Sequence, residues 1–473
     1  MPVKSFSKDY IKDIFFMLAL LAVTIGVTYF ASGTIASIWY FFVLVLYAVT
    51  DNEAMWLAFF LATVDGFMGF LGLYSVTLTV IPGLPGVELA QFYVLIAFLK
   101  ALRSGRKTNV FYFKYLQILL IYVLFMVVWG QSAGFSGGLN TYFRVAKMVL
   151  PLTLFYSLPQ LFNESRTYER FFGLIFFILI TAFLTQIFSL LTGIEPAEST
   201  FVNEDLFSEP GSFRGFYNAA AVLIALYGAL FYLSLGNQRT FSKVVLYTVI
   251  SATMGMAVIS ATRGWIIGLG FIIVVHLAFL MRYGKRGVLW MGVFVVALFF
   301  AGMSNLKISE QVQFSKERVM TLGNLAGGDI SAKKTLSRLD VRSPTVITQW
   351  REKPLFGWGF SDTSWKYADG HVGNQNILLL SGLVGFLLLI GFLVYFSYMM
   401  ADRFFMCRRA HLNGPVFLLF PVFLAGWFII HSTSGQQFGF SGLPLHIIPQ
   451  ALFFSLGALT YRQLKTVHNG KKV

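Results

Sequence analysis

His371 and a set of arginines offer the most chemistry in this chain. Neutral imidazole near physiological pH is the usual general base for activating a hydroxyl. His371 is the one histidine in a long polar stretch, residues 304–372. The cations stand at the edges of apolar runs: Arg144 and Lys147, Arg214 within Gly211-Ser212-Phe213-Arg214-Gly215, and Arg263 within Ser260-Ala261-Thr262-Arg263-Gly264. Arg338 and Arg342 lie four apart in the polar stretch, a spacing that places two side chains on one helix face. One cation at a hydrocarbon boundary ordinarily snorkels to lipid headgroups. Several converging arginines suit a polyanion instead, because a planar guanidinium gives paired N–H donors to phosphate oxygens. A pyrophosphate at a membrane surface is the ligand such a set would take. Trp358 and Trp365, with Trp350, Phe360 and Tyr367, crowd the end of the same stretch. Such rings form an interfacial belt or pack a cap, or else stack on sugars while their polar edges hydrogen-bond.

Other chemistries find less support. Asp362 and Asp369 lie near His371, but no second His or Cys completes a ligand cluster, so neither metal nor cofactor is expected. His431 and His446 fall at the outer ends of apolar runs, where they could join a site but are more readily explained as span-end residues; His276 lies within a run, where a structural role is expected. No phosphate-cradling glycine loop, His-Glu-x-x-His or serine triad is present. The single Cys407 indicates no disulfides.

The elements that must position these residues are membrane helices. Of 473 residues 57% are apolar and only 12% charged, against roughly 25% charged in soluble domains. Fourteen helices of about 20 residues would consume about 280 residues. The apolar runs predict spans near 14–31, 36–50, 54–74, 84–99, 113–130, 143–161, 170–192, 217–235, 244–261, 263–281, 287–303, 373–398, 414–432 and 445–461. The expected fold is therefore all-α, a polytopic integral membrane protein of about 14 transmembrane helices, within a range of about 12 to 14. Its parts are residues 1–303 with helices one to eleven, a long outer loop 304–372 capping the outer face, and residues 373–473 with the last three helices and a tail. Thr335 to Trp350 has helix-like apolar spacing, with Pro344 marking a start. A Gly-rich turn, Pro354 to Phe360, follows.

The net charge of +15 is not spread evenly. Alternate loops on one side hold 22 of the 36 basic and 7 of the 21 acidic residues, while the other side holds 14 and 13. The positive-inside rule makes the basic side cytoplasmic, with both termini there, and accounts for the charge without nucleic acid.

The order Ser-x-Thr-Arg-Gly at a span junction, a long outer loop with Trp350-x-x-Lys353-Pro354-Leu355-Phe356-Gly357-x-Gly359, His371, then Gly382-Leu383-Val384-Gly385 resembles the bacterial O-antigen ligase and polymerase superfamily. The resemblance covers about residues 210–400. The chain departs from the family pattern at Val372 and Leu380. The resemblance implies a metal-independent glycosyltransferase of the inner membrane, working on its periplasmic side. The donor would be a glycan linked through pyrophosphate to undecaprenol, and the acceptor another lipid-linked glycan or the lipid A core. Membrane lipids and a chain-length regulator or other polysaccharide-assembly proteins would be further partners. In this reading Arg214 and Arg263 hold the pyrophosphate, Arg338 or Arg342 closes from the cap, and His371 is the base. Polymerase is preferred to ligase because many kinds of surface glycan need one. Two competitors are a flippase working through the mid-span Asp65 and a peptidoglycan-type polymerase using Asp340, Glu352, Asp362 or Asp369 as a catalytic acid.

Overall fold

The computed structural model describes residues 8–64, 66–70, 76–78, 84, 86–105, 108, 110–135, 137–194, 213, 215–236, 241–283, 304–323, 338–409, 414–432, 439 and 441–470. Arg214, Asp65, the expected span 287–303 and the acidic loop around Glu195 to Glu209 lie outside them. Among the described residues the fold is helical, with one short antiparallel ribbon pairing Thr77 with Glu88 and Leu78 with Val87.

The first half runs α1 (Lys8–Phe30), α2 (Gly33–Val49), α3 (Glu53–Ala62), α4 (Leu89–Arg103), α5 (Phe113–Ser132), α6 (Leu139–Val149), α7 (Leu154–Leu161) and α8 (Ser165–Thr192). It continues with α9 (Ala219–Leu235), α10 (Lys243–Ile259) and α11 (Arg263–Arg282). Residues of the long polar stretch form α12 (Leu306–Met320), a single wide turn Arg338–Arg342, α13 (Ser343–Arg351) and α14 (Asp362–Tyr367). The chain ends with α15 (Gly373–Arg409), α16 (Pro415–His431) and α17 (Pro444–Gly470). Among the described residues five stretches are long and apolar enough to cross a membrane: Ile11–Phe30, Phe113–Ser132, Ser165–Thr192, Arg263–Arg282 and Gly373–Arg409.

Burial separates the bundle's inside from its apolar outside. Every residue of α9 from Ala219 to Ser234 is buried, as expected of a helix that is apolar all round. By contrast Phe15, Ile38, Phe41, Ile121 and Val128 on α1, α2 and α5 stand exposed. A continuous apolar exterior of this kind suits lipid rather than water. α11 and α16 approach most closely at Gly268 and Gly426. A Cβ on either would come within 2.9 Å of the other's carbonyl oxygen, so small residues let these backbones touch.

Three expected spans before residue 304 are not continuous helices. The span expected at 54–74 ends as α3 at Ala62, only about 15 Å long. There the chain unwinds through Gly66 and Gly69, with φ of 99° and 94°. Asn218 at the start of α9 covers the frayed end, donating Nδ2 to the carbonyls of Val64 at 2.7 Å and Leu61 at 3.3 Å. The span expected at 84–99 begins as the ribbon strand Val87–Glu88 before α4 takes over. The span expected at 143–161 is broken between α6 and α7 by a 3-10 turn, Leu150–Thr153, containing Pro151. Proline lacks the N–H that would bond the carbonyl four residues back, and here that carbonyl, Lys147 O, accepts Gln91 Nε2 at 3.0 Å. The neighbouring Met148 O accepts the Gly442 N–H at 2.9 Å.

The expected helix around Pro344 is present, and Pro344 sits in the first turn of α13, where its missing N–H costs nothing.

Alternate helix ends meet in two groups. At one end Asp13 of α1 accepts from Arg170 of α8 at 2.8 Å and from Asn52 at 2.6 Å. Close by, Lys100 of α4 pairs with Glu53 of α3. At the other end lie the beginnings of α6, α11, α15 and α17, the ends of α5, α10 and α16, and the helices of the polar stretch.

Candidate functional site

The turn Pro354–Gly359 is built into the bundle, and it sets the position of everything after it. α15 breaks at Gly382, where φ is 63° and ψ is −172°, a conformation essentially closed to side-chain-bearing residues. The break leaves backbone groups of two helix ends without partners, and the turn supplies them. Trp358 N donates to Leu379 O and Gly359 N to Leu380 O, both at 2.8 Å. In return Leu383 N reaches Pro354 O at 2.9 Å and Val384 N reaches Leu355 O at 3.0 Å. Tyr122 of α5 donates to Ser381 O at 2.6 Å. On the turn's other side Phe360 N donates to Met126 O at 3.2 Å, and Trp129 Nε1 to Gly357 O at 2.9 Å. A Cβ on Gly357 would lie 2.6 Å from Leu379 O, and one on Gly359 2.6 Å from Met126 O. The turn is thus wedged between α5 and α15. From Leu383 onward α15 is still about 40 Å long, more than the ~30 Å of a hydrocarbon core, so its short segment before the break is not needed to cross.

α14 then leads into a locked turn carrying His371. The Asp369 carboxylate accepts the His371 backbone N–H at 2.8 Å. It also accepts Arg342 Nη1 at 3.1 and 3.2 Å on its two oxygens. Asn376, one turn into α15, accepts the Asp369 N–H at 3.0 Å and donates Nδ2 back to Asp369 O. Gln375 Nε2 donates to Ser343 Oγ at 3.0 Å, tying α15 to α13 a second time. Arg342 and Asp369 are 37% and 26% exposed, so their pair contributes at most about 1 kcal/mol of stability. Its consequence is geometric. His371 itself is exposed.

Below this turn is a cleft of about 300 Å³ whose walls include Met148, Ser364, Trp365, Asp369, Gly370, Asn376, Ser441 and His446. Gly439 stands in its wall and also in that of an apolar groove of about 690 Å³ between α4, α5, α7, α15 and α17. Phe98, Leu120, Phe155, Leu393 and Phe454 line that groove, with Gln117, Thr153 and Gln450 as sparse polar points. Trp365 closes the cleft on one side, with the Arg144 guanidinium 5.3 Å from its ring centre. Its indole N–H is buried and has no hydrogen-bond partner, a condition that costs about 1–3 kcal/mol.

The expected site residues divide accordingly. Of them only Trp365 lines the cleft; Arg144 stands over its ring, and Arg342 and the His371 N–H meet the wall residue Asp369 without lining the cleft themselves. Lys147 is turned to structure, donating Nζ to Gly86 O at 2.6 Å. Trp358 donates Nε1 to Gln349 O at 2.9 Å, and Lys353 Nζ covers its ring at 4.4 Å. Neither lines the cleft. Arg263 opens α11, 6% exposed, and is also absent from the cleft wall. Its end of the bundle is adjacent all the same. Asn374, three residues beyond His371, donates to Ser432 Oγ at the end of α16 at 3.0 Å, and α16 lies against α11. α12 roofs the Arg263 region, with Gln311 exchanging hydrogen bonds with Phe213 N and O at 3.3 and 2.8 Å. Phe213 and Gly215, the neighbours of Arg214, are buried; Gly215 O accepts Gln186 Nε2 at 3.0 Å. Arg338 begins the wide turn that ends at Arg342.

No family model and no curated protein matches the chain. The roles of Asp369 and Asn376 were missed from sequence. The spacing Asp369-x-His371 carried the signal, because an Asx turn joins a carboxylate to the N–H two residues on. In the wall formed by Gly439, Ser441, Gly442 and His446, the histidine was the one residue the sequence offered for a site.

Proposed function

We propose that this chain is a membrane glycosyltransferase that transfers or polymerises undecaprenyl-pyrophosphate-linked glycan units on the periplasmic face of the inner membrane. One observation supports this above the rest: a mainly apolar cleft beside the His371 turn, edged by the polar groups of Ser364, Trp365, Asp369, Asn376 and Ser441, shares the wall residue Gly439 with a larger apolar groove. A donor with a sugar-pyrophosphate head and a long hydrocarbon tail needs two such spaces side by side. In the cleft, the unpaired Trp365 N–H offers a hydrogen bond to a sugar hydroxyl.

The reaction requires an acceptor hydroxyl oxygen to bond the anomeric carbon while the bond from that carbon to the pyrophosphate oxygen breaks. The leaving pyrophosphate keeps the electron pair, and the hydroxyl proton passes to the His371 imidazole. Positive charge grows on the sugar and negative charge on the leaving group. The Arg263 guanidinium at the start of α11, with Arg144 over the Trp365 ring, would oppose that negative charge without having to reorganise, joined by Arg214, which lies outside the described residues. Arg342 is left out of this set, since it meets Asp369.

The test is glycan chain length in a strain lacking the protein, complemented with wild type or with His371→Ala. Single repeat units in place of long chains, restored by wild type and not by the variant, support a polymerase. Long chains retained on undecaprenyl pyrophosphate beside bare lipid A core indicate a ligase. Normal glycan with His371→Ala rules out His371 as the base.

A further inference from the structure

We infer that Asp369 is a positioning residue for His371, and that Arg342 acts through Asp369 rather than on the donor. The activity part of this inference rests on the transferase reading. Its geometric part does not.

Asp369 stands at a junction of three elements. Its carboxylate takes the His371 N–H at 2.8 Å and Arg342 Nη1 at 3.1 Å on the same oxygen, Oδ1. Its own backbone N–H and carbonyl are both held by Asn376 of α15, and its carbonyl also accepts the Val372 N–H at 3.2 Å. Arg342 comes from the far side of the turn, at the start of α13. The histidine's backbone direction is therefore set by a carboxylate that is itself oriented by a cation from the cap and an amide from the membrane helix. Val372 seals the other side of the turn, packing with Val346 of α13 and Leu379 of α15. A general base must meet its hydroxyl at hydrogen-bond distance. A displacement of about 1 Å costs on the order of 10²-fold in rate. With Asp369 also in the cleft wall, freeing the turn moves His371 relative to whatever the cleft holds.

The test uses the full-length protein in detergent or nanodiscs with four variants: Asp369→Ala, Asp369→Asn, Arg342→Ala and the Asp369→Ala/Arg342→Ala pair. The first readout is hydrogen exchange of the His371 amide, followed by mass spectrometry, which needs no activity. Asp369→Ala should speed it by about tenfold or more, as for loss of a bond to a charged acceptor. Asp369→Asn keeps an Oδ1 acceptor and should stay near wild type. Unchanged protection in a folded Asp369→Ala protein overturns the inference. The second readout is steady-state transfer. Asp369→Ala should lower kcat by about 10²-fold with KM nearly unchanged, and Asp369→Asn should recover part of that loss. Adding Arg342→Ala to Asp369→Ala should cause no further loss, the non-additivity expected when one residue works through the other. Multiplying losses, or a raised donor KM in Arg342→Ala alone, would put Arg342 on the donor and overturn the second half. If the wild type transfers no glycan at all, the transferase reading fails by itself, while the exchange measurement still decides the role of Asp369 in the turn.

Discussion

Trp365 presents two surfaces with opposite consequences. Its ring face carries the Arg144 guanidinium 5.3 Å away, while its buried N–H finds no acceptor. Trp365→Phe keeps the first and removes the second. Deleting an unpaired buried donor relieves a penalty of about 1–3 kcal/mol, so the unliganded variant should melt at the same or a higher temperature than wild type. If the N–H serves a sugar oxygen, the same substitution should raise donor or acceptor KM by roughly five- to tenfold, the worth of one hydrogen bond. Thermal unfolding in detergent and initial-rate kinetics read the two effects separately. A variant that is stabilised with unchanged KM would leave the indole edge without a ligand role. Arg144→Ala removes only an exposed cation–π contact, worth about 0.5–1 kcal/mol, and should change stability little. Residue types were readable in advance here, and so was the pairing of rings with cations as a general possibility. Which cation met which ring was not, since Lys353 covers Trp358 and Lys147 turns to Gly86.

At the scale of elements, the fold depends on two broken helices whose breaks are filled by other parts of the chain. The break at Pro151 was legible in principle, since proline inside an apolar run removes a backbone donor. The receiving groups, Gln91 and the Gly442 N–H, are distant in sequence and carry no local sign. The break at Gly382 is more instructive. Both of its halves stood out as motifs, Pro354 to Gly359 and Gly382 to Gly385, yet nothing local says that one inserts into the other. Their mutual fit makes a sharp prediction. Gly382→Ala imposes a side chain at φ 63°, ψ −172° and would set a Cβ 2.3 Å from Leu355 O. It should destabilise the protein by on the order of 3 kcal/mol and detach the turn from α5 and α15. Gly270→Ala, in α11 with open space around it, should instead be neutral or stabilising by up to about 1 kcal/mol. Melting temperature and protease sensitivity of the 354–360 turn distinguish the two. Equal behaviour of the variants would mean that the break is not held by the turn.

Across the whole molecule, the charge pattern and the structure agree on which helix ends belong together. Loops grouped by their basic residues bring Asp13, Asn52, Glu53, Lys100 and Arg170 to one place in the bundle. Loops poor in net charge supply the cap, the cleft and Arg263 at the opposite end. This organisation was legible because topology depends on summed charge and hydropathy, which tolerate errors of several residues in any span. The cleft was not, because its walls come from α6, α14, α15 and the start of α17, whose neighbourhood only tertiary packing decides. Sidedness can be measured directly on a chain whose single Cys407 is replaced by serine. Thr348→Cys on α13 and Ser104→Cys after α4 each put one exposed thiol at an opposite end of the bundle. With the cap on the periplasmic side, a membrane-impermeant maleimide should label Thr348→Cys in intact spheroplasts, and Ser104→Cys only after the membrane is opened. The reverse pattern would place the cleft in the cytoplasm, where a periplasmic glycan acceptor cannot reach His371. Labelling of both thiols in intact spheroplasts would mean that the two groups of helix ends do not face opposite sides of the membrane.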